Sequence, residues 1–227
     1  MSFSQSHNRD ILGVGIQGTV FLENGFAIKE MHDGWSPRQA ERAEGIHEHL
    51  VAWDIPTYDH FEVDYANKRY KMSDLSNSRK NLVVSVQDLW QLRKQENELW
   101  FSSVANKRNL VDTQSFLDEN RVTMQKLIDS KSYVRLSGMY LIVTPGNQAS
   151  MIVGDYDDGI ILEGSPSLSE KQIIDMTNSY FILLTEVFAK FFPDSKPIIM
   201  DEMEAFANLY ISDKSSSMKL LDKYRNP

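Results

Sequence analysis

The sequence predicts an α+β protein: a small antiparallel sheet with one helix, followed by a reduced and mostly helical portion. Residues 10–75 hold short apolar runs broken by turn residues, the pattern of strands. Beyond residue 75 the apolar positions recur mainly at helical spacing, and 169–192 is a long, nearly continuous apolar stretch ending before Pro193. At 227 residues, with 41% hydrophobic and 11% aromatic side chains, the chain has ample material for a buried core.

Taken in order, residues 1–9 are polar and expected to be flexible. Strands are expected at 11–12, 19–22, 26–31, 60–64 and 68–72, with the Asn24-Gly25 pair joining the second and third in a two-residue hairpin. Ser36 and Pro37 form a helix start, N-cap then first helical position. Ala43, Ile46, Leu50 and Trp53 then share one helix face, and Glu41, Glu44 and Glu48 share another.

Helices are expected over 86–101 and from Asp112-Thr113, the latter burying Leu117, Met124, Leu127 and Ile128. Between 140 and 162 the runs 141–143, 151–153 and 160–162 alternate with Pro145-Gly146-Asn147 and Asp157-Asp158-Gly159, which predicts hairpins. The helix over 169–192 is apolar on most sides, as a central buried helix must be. Ser215, Ser216 and Ser217 are expected to loosen the C-terminal tail. The domain organisation is one compact bilobal unit, 10–75 as the first lobe and 76–227 as the second.

A net charge of −8 with scattered basic residues argues against nucleic acid as a partner, because phosphate neutralisation needs clustered cations. The absence of cysteine excludes disulfides and thiolate chemistry. No stretch reads as a membrane span or secretory signal, so no membrane partner is expected and the localisation is cytoplasmic, or inside a host cell without Sec export. His47 and His49 stand two apart, point to different sides of a helix, and read as surface or packing residues. No nucleophile-elbow sequence anchors a hydrolase triad.

Two segments carry chemistry. Gly13, Gly15 and Gly18, followed by Val20, place a bare backbone between two strands, where it can lie over a polyphosphate. The hairpin returns Lys29 beneath those glycines, making a nucleotide clamp. A dinucleotide fingerprint requires a helix directly after the glycines, and strand residues stand there instead; an unrelated glycine-rich hairpin is the other alternative. The second segment is 151–159, an apolar strand delivering Asp155 into an acidic turn with Asp157 and Asp158. Magnesium prefers oxygen ligands and few protein contacts, so Asp155 is the expected metal ligand, with Asp157 as its assistant.

Together these segments resemble the protein kinase-like superfamily, in a minimal form found among bacterial effectors and phage kinases, over roughly residues 10–190. The resemblance implies a two-lobed fold that binds ATP and Mg²⁺: Gly13, Gly15, Gly18 and Val20 cover the phosphates, Lys29 grips them, Glu44, with Glu41 and Glu48 as rivals, orients Lys29, Met72 lines the adenine pocket, and Asp155 holds metal. Asp175 would brace the catalytic loop at the head of the central helix. The implied activity is γ-phosphoryl transfer from Mg-ATP to a protein substrate, with Lys29 and Asp155 catalytic, or else a pseudokinase that binds a protein partner without transfer. Arg135 and Tyr140 occupy the places where the resemblance calls for an aspartate base and an asparagine metal ligand, and arginine cannot serve as a base at neutral pH.

Overall fold

A computed structural model describes residues 10–14, 18–32, 35–78, 80–87, 112–157, 159–164 and 167–225. It is a mixed α+β structure with antiparallel sheets. Strands β1 (Asp10–Val14), β2 (Gly18–Glu23), β3 (Phe26–Met31), β4 (Phe61–Asp64) and β5 (Arg69–Ser73) form a five-stranded sheet in the order β1-β2-β3-β5-β4. The β2–β3 turn is built by Asn24 and Gly25, both at positive φ (51° and 79°), as the tight hairpin requires.

Helix α1 (Pro37–Ala52) starts at Ser36, whose hydroxyl accepts from the Gln39 backbone N–H while the Gln39 side chain accepts from the Ser36 N–H. Ala40, Ala43, Ile46 and Leu50 are buried along its inner stripe, where a side chain such as Leu50 contributes about 1.5–3 kcal/mol. Trp53, expected on that stripe, follows the last turn and is 42% exposed, because the helix ends at Ala52.

A second sheet of three strands, in the order β6-β8-β9, contains β6 (Leu82–Ser85), β8 (Met139–Val143) and β9 (Ala149–Val153). Strand β6 was not anticipated; the β-branched Val83-Val84 pair is its signal. The helix expected over 86–101 begins at Val86 and Gln87, and its remainder lies outside the described residues. Strand β10 (Ile160–Leu162) does not extend the hairpins. It pairs antiparallel with β7 (Ser132–Val134), so Ile160 faces Val134 and Leu162 faces Ser132. The segment expected to hold a catalytic loop is therefore strand β7, a short 3-10 turn at Leu136–Gly138, and the start of β8.

Helix α2 (Thr113–Asp129) is capped by Asp112 and buries Leu117, Met124 and Leu127, with Ile128 partly buried. Helix α3 (Glu170–Ile182) runs on through a π-helical stretch, Leu183–Phe188, to Phe191 and stops before Pro193. Phe188 in that stretch stacks parallel on Phe116 of α2, with ring centroids 4.1 Å apart. Helices α4 (Lys196–Tyr210) and α5 (Lys214–Arg225) complete the helical layer. The serine run does not loosen the tail: Asp213 accepts from the Ser215 and Ser216 backbone N–H groups, caps α5, and leaves Ser217 buried. Among the described residues, no helix is long and apolar enough to cross a membrane.

Candidate functional site

Directly opposed residues in antiparallel strands share a sheet face. Val20 opposes Lys29, which opposes Tyr70, and Leu22 opposes Ala27, which opposes Met72, so all six lie on one face of the five-stranded sheet. Met72 is buried in the core there. Gly13 lies beside a register irregularity in β1, and a Cβ on it would meet open space. Gly18 has a reason of its own: a Cβ on it would lie 2.5 Å from the Glu30 carbonyl oxygen on β3. Gly15 and Asp158 fall outside the described residues.

Against this face stands the turn between β9 and β10. Gly154 donates its N–H to the Gly138 carbonyl (2.9 Å), Gly159 donates to the Asp155 carbonyl (2.9 Å), and Arg135 donates to the Gly159 carbonyl (2.8 Å). The backbones at Gly138 and Gly159 touch; a Cβ on Gly159 would lie 2.6 Å from the Gly138 Cα. Asp155 itself sits in the left-handed region, at φ 56°. That conformation costs a non-glycine residue about 1–2 kcal/mol, and such strain concentrates at functional sites.

Lys29 reaches into this turn. Its Nζ lies 2.5 Å from Asp157 Oδ2 and 3.8 Å from Asp155 Oδ1. Tyr70 donates its hydroxyl to the other oxygen of Asp157 at 3.1 Å, and burial, with the Asp157 charge beside it, pushes the Tyr70 phenol well up. Arg42 of α1 donates to the backbone carbonyls of Asp157 (3.2 Å) and Ile160 (2.8 Å), tying the helix to both sides of the turn.

Glu44 does not orient Lys29. It accepts from the Tyr65 hydroxyl at 2.5 Å, which pushes the Tyr65 phenol up to about 12, and its place on α1 carries it toward the β4–β5 turn instead. Among the described residues, Lys29 pairs with Asp155 and Asp157 alone. Asp175 is exposed on α3. No local motif marks Tyr70, Arg42 or Thr57, whose hydroxyl donates to the Val153 carbonyl at the start of the turn; only the tertiary approach of the sheet and α1 brings them there.

One ammonium and two carboxylates carry a net charge of −1, a balance that accepts a divalent cation. Among the described residues, no group of three or more His, Cys, Asp or Glu side chains could by itself hold a metal ion. Asp157 gives one oxygen to Lys29 and the other to Tyr70, so a Mg²⁺ brought in by a polyphosphate would displace one of these partners; such an ion keeps most of its shell from water and phosphate and needs few protein oxygens. What the arrangement can do is hold, neutralise and orient phosphate oxygens.

No family model matches the chain, and no curated protein matches it. A solved structure similar to it is that of aerobactin synthetase IucC from a hypervirulent pathotype of Klebsiella pneumoniae, at 10% identity and a TM-score of 0.48, covering 90% of this chain and 48% of that one. The chain thus spans about half the length of that protein. The kinase resemblance is corrected here. The expected Lys29–Glu44 pair is replaced by Lys29–Asp157, Glu44 answers Tyr65 instead, and the expected catalytic loop is a strand and a 3-10 turn. Neither protein phosphorylation nor a pseudokinase role is retained.

Proposed function

We propose that Lys29, Asp155 and Asp157 form a binding site for a magnesium-bound nucleotide, with ATP as the first candidate. The supporting observation is the convergence of an ammonium from β3 with two carboxylates from a distant turn, one of them held at a strained φ of 56°. In the bound state Lys29 exchanges Asp157 for phosphate oxygens, and Asp155 with Asp157 takes the Mg²⁺ that the phosphates bring. The glycine segment that includes Gly13 and Gly18, with Val20 on the sheet face, covers the phosphates, while Met72 contributes to the apolar wall. Residues 10–75 act as a cover and the rest of the chain as a base, in a two-lobed arrangement with the ligand between them. The acidic net charge of −8 favours a small nucleotide carrying its own metal over a nucleic-acid backbone.

A thermal-shift titration tests this. Mg-ATP at a hundred times its dissociation constant stabilises the native state by about 2.7 kcal/mol. The shift must require the metal and must vanish in Lys29→Ala and Asp155→Ala. An unchanged melting temperature at millimolar Mg-ATP, or a shift that survives both substitutions, removes the assignment.

A further inference from the structure

Tyr156 lies between the two carboxylate residues, and its hydroxyl is met from two directions. His47 Nδ1 of α1 is 3.0 Å from it, and the Thr57 hydroxyl touches it from the segment after α1. Thr57 Oγ1 is also 2.7 Å from the Val153 carbonyl oxygen. A carbonyl only accepts, so the single Thr57 proton goes to Val153. Thr57 must then accept from Tyr156, and with its own proton committed the Tyr156 oxygen must accept from His47. The chain therefore runs in one direction, His47 Nδ1–H to Tyr156 O–H to Thr57 O–H to Val153 O, and places the neutral His47 proton on Nδ1.

This chain brackets Asp155. Thr57 holds Val153, two residues before it, and Tyr156, one residue after it. The Val153 backbone N–H also donates to the Pro56 carbonyl at 2.8 Å, so 56–57 is fastened along the strand end that carries the carboxylate. The Tyr156 ring is seated by Phe61 (4.8 Å) and Tyr58 (5.5 Å), leaving its hydroxyl little choice of partner. A left-handed aspartate keeps its geometry only where its surroundings over-determine it.

We infer that Thr57, with His47 behind it, is a positioning residue that holds Asp155 in its strained, ligand-ready conformation. The inference deepens the nucleotide-site reading and rests on it for the ligand alone; the positioning itself belongs to the free chain. Groups that orient a metal-binding carboxylate typically change metal affinity by about 10–100-fold when removed.

The test uses the whole chain and two readouts: amide hydrogen exchange over residues 154–159 without ligand, and the dissociation constant of Mn-ATP. Thr57→Val keeps the shape while leaving the Val153 carbonyl without its donor and the Tyr156 proton without its acceptor. It is expected to speed exchange in the turn by about tenfold, as loss of such bonds does, and to weaken Mn-ATP by about tenfold or more. Thr57→Ser, which retains the hydroxyl, restores both; His47→Gln gives an intermediate effect, and circular dichroism confirms that each variant is folded. Unchanged exchange in Thr57→Val, or a Thr57→Ser variant no better than valine, overturns the positioning role. Faster exchange in Thr57→Val, when the wild-type chain does not bind Mn-ATP at all, supports the positioning role and overturns only the nucleotide assignment.

Discussion

Lys29 Nζ lies 2.5 Å from Asp157 Oδ2 although 128 positions separate the two residues in sequence. With side chains 16% and 7% exposed, the pair is shielded enough that removing one partner leaves the other in poor solvation. Lys29→Met is therefore expected to cost about 3 kcal/mol in urea unfolding, while the Lys29→Met/Asp157→Asn double variant loses less than the sum of its singles by about 0.5–3 kcal/mol. Strict additivity would mean that the pair contributes nothing specific.

Strain at Asp155 gives a comparison free of ligand. Alanine and glycine both delete its carboxylate, but only glycine adopts φ 56° without a Cβ penalty. Asp155→Gly should be more stable than Asp155→Ala by about 1 kcal/mol in chemical denaturation. Equal stability of the two would show that the left-handed conformation is not maintained in solution.

The contact between Gly138 and Gly159 leaves no room for a methyl group, with a Cβ on Gly159 only 2.6 Å from the Gly138 Cα. Since the clash is with backbone, Gly159→Ala should lower stability by about 1–3 kcal/mol. Gly13→Ala, whose Cβ meets nothing within 4 Å, serves as the control and should melt close to wild type.

A pH dependence follows from His47. Burial holds its imidazole below the ordinary range, with His60 acting in the same direction and Glu48 opposing. Between the depressed folded value and the unfolded value the unfolded chain binds more protons, so stability from this group is present at neutral pH and is lost as pH falls through that window. His47→Gln should flatten the fall in melting temperature between about pH 7 and pH 5.5, the range in which an ordinary histidine gains its charge. An identical slope in the variant would place the acid sensitivity elsewhere.

Arg121 and Glu202 provide a test remote from the site. Arg121 of α2 is bidentate on Glu202 of α4, whose side chain is only 2% exposed. Arg121→Met strands that carboxylate and is expected to cost about 3–5 kcal/mol, whereas Arg121→Met with Glu202→Leu should recover much of the loss. Denaturant midpoints of the three chains decide the point.

Local signals were legible where local chemistry decides structure. Asn24-Gly25, Ser36-Pro37 and Asp112 each marked a boundary that the fold keeps, because turn and cap geometry are settled within a few residues. Lys29, Asp155 and Asp157 could be singled out from type and spacing. What could not be read was who meets whom: Ile160 pairing with Val134 rather than continuing a hairpin, and Glu44 answering Tyr65 instead of Lys29. Those choices depend on the rotation of α1 and on long-range strand pairing, which no short window encodes. The serine run at 215–217 misled for a related reason, since serines disfavour a helix interior yet suit a capped first turn.

Lys29, Arg42, His47 and Thr57 all come from the early part of the chain, and every one of them bonds to a residue between 153 and 160. During synthesis Lys29 leaves the ribosome with its charge unanswered. At about 5–20 residues per second, the 128 positions to Asp157 take roughly 6–26 s to follow. The first sheet can close its hairpins in that interval, but the site is born only when the second half of the chain arrives. A translation product ending before residue 153 would carry Lys29, Arg42, His47 and Thr57 without any of these partners.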